Sequence, residues 1–331
     1  MSIFTRRNHF PISHRTFVIT GGSQGTGLSL ALLLSSRGGN VCIIARTQSK
    51  LNSALEEIKA AAKDPAAQKF RAISCDLTDP TAVERGFEEV REWCKGVNEE
   101  GQGAPDVVWQ CAGGTKPGYF KNQSGERVVQ EAMGNYVSTA LTANAALKLM
   151  TSAPPTRPNQ PQRHIIFTSS ILGFHPLPGY NTYSPSKAAI RSLADGLRSE
   201  CLLYNISVSC CFPATIYSPG FEEEQKTKPE LTKIIEGSDE GQTCEEVAGR
   251  CVEGLERGEV SVVTGWMGRV FRGAVWGGTP KGGNWGTMVV EMVVASVMGV
   301  VWRLIAWWLD GDVLRYRKKL VKEGKNVMDA K

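Results

Sequence analysis

Seven short apolar runs, separated by stretches with helical spacing, constrain this chain more than any other feature. Read for period, the runs fall at 16–20, 41–45, 70–75, 106–111, 164–169, 206–212 and 260–263, and are close to continuously apolar. Between them lie patterns such as LSLALLLSSRG, KLNSALEEIKAAAK and TAVERGFEEVREWCK, whose apolar residues recur every three or four positions. Strands that are apolar on both faces need cover on both faces, and helices between them supply it when the strands run parallel. The expected fold is therefore α/β, a Rossmann-like doubly wound parallel sheet of seven strands with helices on both faces. Two stretches break the alternation. Residues 153–162 are rich in proline and read as an exposed loop, whereas 218–241 are long, polar and charged and read as a lid or substrate loop within 214–241.

Charge and cysteine usage exclude several function classes. The net charge is +5, but the lysines and arginines form no long tract of the kind that tracks a phosphate backbone, so no nucleic-acid partner is expected. The nine cysteines have no metal-ligand spacing, and the adjacent pair Cys210 and Cys211 falls on a strand, where neighbours point to opposite faces. The histidines (His9, His14, His164, His175) form no cluster either, so no metal is expected. The opening MSIFTRRNHFPISHR has no apolar core, and no signal peptide is expected from it.

The first strand runs directly into TGGSQGTG. Gly21, Gly25 and Gly27 permit a tight turn and a close approach of backbone to a pyrophosphate, at a helix N-terminus whose free N–H groups favour negative charge. The second strand ends in IIAR, so Arg46, with Lys50 one turn later, stands where an acidic residue would hold the ribose diol of NAD. A guanidinium there suits a 2′-phosphate, which favours NADPH. Ser23 and Thr47 add hydroxyl donors to the same phosphate. After the third strand, CDLTD sets Asp76 and Leu77 where an adenine lies.

The fifth run ends in two serines and delivers Ser170 to the same edge. Thirteen residues on, Tyr183 and Lys187 are one helical turn apart and share a face. A phenol titrates near ~10 and gives up its proton near neutrality when a neighbouring cation lowers that value, a role Lys187 is placed to fill. A serine, a tyrosine and a lysine beside a nicotinamide suggest carbonyl reduction.

Through TGGSQGTG, CDLTD, QCAG, GNYVST, TSS and YSPSK, in that order, the chain resembles the short-chain dehydrogenase/reductase family over approximately residues 15–265. The resemblance implies a catalytic tetrad at Asn135, Ser170, Tyr183 and Lys187, with Tyr183 and Lys187 also meeting the cofactor and Asn135 supporting a water that leads protons to the lysine. One departure is QCAG, in which Gln110 and Cys111 replace two asparagines that tie strands together near the cofactor. Further on, YSPSKAAIRSLADGLRSE and SPGFEEEQKTKPELTKIIEGSD resemble the 3-ketodihydrosphingosine reductases. That implies NADPH-dependent reduction of 3-ketosphinganine, a sphingoid lipid, although the lid begins ATIYSPGF where those enzymes have an aspartate and threonines before the proline. Glu222, Glu223 and Glu224 either attract the substrate's ammonium or form a solvated face. Two other readings stay open: a lipid or steroid ketoreductase with the same chemistry, and a catalytically silent nucleotide sensor.

The C-terminal region, 282–331, reads as an apolar membrane-associated segment and basic tail appended to a reductase domain at 1–281. As a helix, 287–309 reaches roughly 34 Å, enough for a hydrocarbon core of about 30 Å. Glu291 and Arg303 interrupt it near its ends, where they can snorkel, with Trp285, Trp302, Trp307 and Trp308 as interfacial anchors. The cluster Arg315, Arg317, Lys318, Lys319 and Lys322 keeps the tail cytosolic. A crossing, a re-entrant hairpin turning near Gly299, a helix lying in the interface and a buried helix all remain open, and WMGRVFRGAVW rests on the same surface or joins the core. The expected location is the endoplasmic reticulum membrane with the catalytic domain facing the cytosol. The family's dimers and tetramers make a homo-oligomer one further expectation.

Overall fold

The computed structural model describes residues 8–97, 103–154, 160–237, 240–275 and 285–324. Its main sheet comprises β1 (Thr16–Thr20), β2 (Asn40–Ala45), β3 (Phe70–Ser74), β4 (Val107–Gln110), β5 (Arg163–Thr168), β6 (Ile206–Phe212) and, beyond a two-stranded ladder of β7 (Ile216–Tyr217) and β8 (Gln242–Thr243), β9 (Ser261–Val263). The order across the sheet is β3-β2-β1-β4-β5-β6-β9, with every pairing parallel. Each strand lies within one residue, at either end, of its apolar run.

Helices cover both faces. On one lie α1 (Gly25–Ser36), α2 (Gln48–Ala60) and α9 (Cys244–Glu256), and on the other α3 (Pro80–Lys95), α5 (Ser138–Ser152) and α6 (Ser184–Glu200), with the short α4 (Gly125–Ala132) leading into α5. The period-2 pleat divides every strand between these cores. Val41 and Ile43 face α1 and α2 while Cys42 and Ile44 face the α3 side, and Cys211 and Cys210 divide the same way. All nine cysteines are free.

The segment ahead of β1 had no assignment from the sequence, and it is part of the core. His9 N–H donates to the Glu256 carbonyl at 3.0 Å. Phe10 is fully buried, edge-on to Phe17 (6.0 Å), Trp109 (6.0 Å) and His164 (5.8 Å). Burial, then Arg15, pushes His164 down to about 3, so its ring is a neutral member of this cluster.

The lid is not a loop. It folds as α7 (Pro219–Thr227) and α8 (Glu230–Glu236), bracketed by the β7–β8 ladder. Ser218 caps α7, its Oγ accepting from Phe221 N–H at 3.2 Å, and Pro219 sits in the first turn, where its missing N–H costs nothing. The proline-rich stretch lies partly outside the described residues, as 155–159 do.

After α10 (Trp266–Ala274) comes α11 (Trp285–Lys322), which runs unbroken through position 299. Of the arrangements left open, the hairpin is absent, because a lone glycine costs a helix interior only about 1 kcal/mol and no proline accompanies it. Glu291 does not snorkel. It accepts from the buried Arg272 of α10 at 2.6 Å, since a buried guanidinium requires a carboxylate. Trp266 of α10 is exposed, whereas Phe271 packs on His175 at 5.4 Å, so that helix divides between surface and core. Among the described residues no helix is long and apolar enough to cross a membrane. The side chains of Trp302, Arg303, Trp307 and Arg317 lie outside the described set.

The aromatic plug makes Phe10→Ala costly although it lies outside all regular elements. The expected loss is about 3–5 kcal/mol, read from urea unfolding of the full chain. A loss under about 1 kcal/mol, in the range of surface changes, would show that the segment adds nothing to the core.

Candidate active site

All seven strands end at one edge, and between β1 and β4 the connections leave toward opposite faces, which opens a crevice there. The glycine turn closes one side of it. Gly21 has φ +69, and a Cβ there would lie 2.8 Å from Ala112 N, so backbone meets backbone across the switch point. A Cβ on Gly27 would run into the Gly21 carbonyl oxygen. Gly25 opens α1, and Ser23 is half-buried in the turn before it.

The residues present fit a dinucleotide carrying a 2′-phosphate. Neither α1 nor α2 has an acidic residue in its first turn or a side-chain cap, so their first N–H groups are available to anions. Arg46 is exposed at the end of β2 and forms no salt bridge among the described residues, while Lys50 Nζ donates to Gln24 Oε1 of the glycine turn at 2.7 Å. Asp76 accepts from the backbone N–H (3.0 Å) and hydroxyl (2.8 Å) of Thr78, which, with Arg46 nearby, hold its carboxyl below the usual range. Leu77, beside it, is buried in the core.

Across the crevice the four tetrad residues converge. Asn135 sits on a π-helical turn, Met133–Val137, between α4 and α5, and is 1% exposed. Its Oδ1 accepts from Gly114 N–H at 3.1 Å, and its Nδ2 donates to the Gly114 carbonyl (2.9 Å), the Glu131 carbonyl (2.9 Å) and the Glu131 carboxylate (3.2 Å). The extra residue of the π turn is what re-aims this amide from the helix toward the end of β4. Ser170 follows β5 and caps a short 3₁₀ turn, accepting from Leu172 N–H at 3.2 Å, and its hydroxyl lies beside that of Tyr183. Tyr183 is the N-cap residue of α6. Lys187 is buried in the first turn of α6, with Nζ 5.3 Å from the Tyr183 ring centroid and donating to the Thr168 carbonyl at 3.1 Å. The Ser169 hydroxyl donates to the Lys187 carbonyl at 2.7 Å, which fixes α6 against the end of β5.

The electrostatics differ from the sequence expectation in one respect. Tyr183 is raised above its ordinary value rather than lowered, by burial first and then by the Glu224 carboxylate, with only the Ser170 hydroxyl opposing. Lys187 is lowered to about 8 by its burial, which outweighs the Glu131 carboxylate. The pair therefore stays a protonated phenol beside an ammonium up to the lysine's titration, an arrangement suited to donating a proton.

A family model for short chain dehydrogenase matches residues 15–229. The chain belongs to that family. The 3-ketodihydrosphingosine reductase of Aspergillus fumigatus is 42% identical over 295 residues, 83% of this chain and 78% of its own. That of Saccharomyces cerevisiae is 30% identical over 331 residues, covering 92% and 98%. Among solved structures, a short-chain dehydrogenase from Sphingobium yanoikuyae in complex with NADPH aligns with a TM-score of 0.62 at 20% identity, over 76% of this chain and 88% of that one. One from Mycobacterium marinum gives 0.64 at 22%, over 77% and 95%. These structural likenesses are likenesses of fold.

Where this chain departs from the family's strand-tying asparagines, the consequences are local. Gln110 is 2% exposed and its amide atoms have no partner among the described residues, while Cys111 Sγ lies 3.6 Å from the Thr168 hydroxyl. Sequence reading singled out Glu224 with its two neighbours but missed the contacts that hold it beside the tetrad. The Tyr180 hydroxyl donates to Glu224 Oε2 at 3.2 Å, and the buried Lys228 donates to Glu236 at 2.8 Å. The signal was present in the FEEEQKTKP run, but its helical spacing shows only once α7 is recognised. Of the three glutamates, Glu222 and Glu223 are exposed, Glu223 pairing with Lys226, and Glu224 alone turns inward.

Tyr183→Phe is expected to lower kcat by at least about 100-fold, with nucleotide binding retained by fluorescence titration. In the unaltered enzyme Lys187 carries charge below its pKa and loses it above, so kcat/KM for carbonyl reduction should decline as the pH rises past about 8. A profile level well past that point would remove the lysine's charge from the mechanism.

Proposed function

We propose that this short-chain dehydrogenase reduces the 3-keto group of 3-ketosphinganine to the alcohol, giving sphinganine, with NADPH. The observation that carries the reading is the joint presence of the converged Ser170, Tyr183 and Lys187 and of relatives up to 42% identical, over most of the chain, that are named 3-ketodihydrosphingosine reductase. The glycine turn, with Arg46 and Lys50 at the 2′-phosphate, would hold NADPH, which would supply the hydride when bound. Ser170 and Tyr183, side by side in the crevice, present their hydroxyls to a single carbonyl oxygen. The Tyr183 proton passes to that oxygen as it gains negative charge, and the Lys187 ammonium stabilises the phenolate left behind. Asn135 braces the end of β4 through Gly114, which keeps the crevice open beside the lysine.

On the same reading the enzyme works at the endoplasmic reticulum membrane from its cytosolic side. Supporting this, Val289, Val293, Val297, Val300, Leu304 and Trp308 of α11 are all exposed. At about 100° per residue they fall within a single arc of about 100°, an apolar stripe suited to lying in a lipid interface. Basic residues Arg315, Lys318, Lys319 and Lys322 follow and suit an anionic cytosolic leaflet.

The test is NADPH consumption by the full chain with 3-ketosphinganine, and no turnover would overturn the reading. Arg46→Asp should raise the KM for NADPH at least about tenfold more than that for NADH, matching the loss of a charge-assisted phosphate bond. Vesicles with anionic lipid should carry the protein upward in flotation, and Val293→Glu combined with Val297→Glu should leave it at the bottom. Equal flotation would remove the stripe from the account.

A further inference from the structure

Beside the tetrad stands a carboxylate that the reduction itself does not use. Glu224, on α7, is the only one of the lid's three consecutive glutamates that turns toward the site, and its charge is the strongest influence on Tyr183 after burial. A bare carboxylate there opposes the chemistry, because the phenolate formed on proton transfer would carry a like charge next to it. The surrounding cations are already engaged. Lys228 Nζ donates to Glu236 at 2.8 Å and lies over the Phe221 ring (5.0 Å) and the Tyr180 ring (5.6 Å), and the Arg127 guanidinium pairs with Glu131. The Tyr180 hydroxyl donates to Glu224 Oε2, and among the described residues nothing donates to Oε1. The group is thus held in place through one oxygen and presents the other without a counter-charge of its own. Burial pushes it up to about 7, against the Lys228 ammonium and the Tyr180 hydroxyl, as befits a carboxylate that lacks a dedicated cation.

An amino ketone supplies the missing cation at the required place. In a 2-amino-3-ketone the carbon bearing the ammonium is bonded directly to the carbonyl carbon, so a substrate whose oxygen meets Ser170 and Tyr183 brings its ammonium to the neighbourhood of Tyr183. We propose that Glu224 receives that ammonium and so sets this enzyme's preference for 2-amino ketones over neutral ketones, an inference that rests on the reaction proposed above. The pairing acts twice. It binds the polar head through a charge-assisted hydrogen bond, and it neutralises the carboxylate that otherwise disfavours the Tyr183 phenolate. A neutral ketone gains neither effect. Tyr180 and Lys228 are positioning residues in this arrangement, the first orienting the carboxylate and the second tying α7 to α8 through Glu236.

The experiment compares kcat/KM for 3-ketosphinganine with that for the same ketone lacking the 2-amino group. In Glu224→Gln the ratio of the two should fall about 10- to 100-fold, the range expected for a charge-assisted bond. Glu222→Gln, which alters an exposed neighbour of the same charge, should keep the wild-type ratio. An unchanged ratio in Glu224→Gln, or an equal fall in Glu222→Gln, overturns the inference. Wild-type protein alone provides a second measurement that needs no variant to fold: the long-chain 2-amino alcohol should inhibit at least about tenfold more tightly than its counterpart without the amine, and equal inhibition overturns the inference. Wild-type reduction of both ketones with an insensitive ratio removes the role of Glu224 and leaves the reaction standing, whereas reduction of the neutral ketone but not of 3-ketosphinganine removes the reaction as well.

Discussion

Every strand of the main sheet runs in the same direction, so every strand delivers its next residue to the same edge. That constraint places the glycine turn after β1, Arg46 after β2, Asp76 after β3, the Ala112–Gly114 backbone after β4 and Ser170 after β5 along one line, although nearly half the chain separates the first from α6. The crevice forms where the chain first changes face, between β1 and β4. Parallel pairing also buries the strands on both faces, which is why they are almost uniformly apolar and why the polar groups accumulate at their ends. The division between core and site is therefore a property of the topology, and the chemistry is concentrated at the edge where the backbone N–H groups of α1 and α2 are also free.

Within the site the governing effect is burial. It lowers Lys187 and raises Tyr183, and each shift has a directional consequence. A phenol held above its ordinary value keeps its proton until an alkoxide forms beside it, whereas the reverse reaction would require that phenol to start ionised. The lysine's charge is retained in a buried position because the Thr168 carbonyl accepts from it and the Glu131 carboxylate lies near. Glu131 in turn ties to Asn135 and Arg127, so the tetrad asparagine and lysine share one electrostatic support.

What the sequence reveals and what it hides follow from the range of the interactions. The strands, the glycine turn and the Tyr183–Lys187 spacing are local in the chain, and local periodicity or spacing displays them. Phe10 gave no such signal, because its partners Phe17, Trp109 and His164 come from three strands and meet only in the folded sheet. The lid's polar composition suggested a loop, yet α7 and α8 are stabilised by a serine cap and by the buried Lys228–Glu236 pair. Glu291 read as a residue reaching for a membrane surface, since nothing in its neighbourhood announces that Arg272 comes to it from another helix. The direction of the Tyr183 shift follows from its burial and then from Glu224, and both are matters of tertiary packing.

The lid joins two parts of the molecule that the sequence presents separately. On one side, Thr232 of α8 donates its hydroxyl to the Pro178 carbonyl at 2.7 Å, in the loop that carries Tyr180 toward Tyr183. On the other, α8 packs against α11, the helix with the exposed apolar stripe. Tyr316 of α11 also lies beside Tyr119, on the segment that follows β4. A substrate with a polar head and a long hydrocarbon chain has matching requirements: its head must be held beside Tyr183 out of bulk water, and its chain needs apolar surface continuous with the phase it came from. An element that contacts both the loop bearing Tyr180 and the apolar helix gives those requirements a shared support, and Lys228 with Glu236 ties it to the helix that carries Glu224. The exposed apolar face of α11 and the carboxylate of Glu224 thus belong to one packed unit, joined through α8.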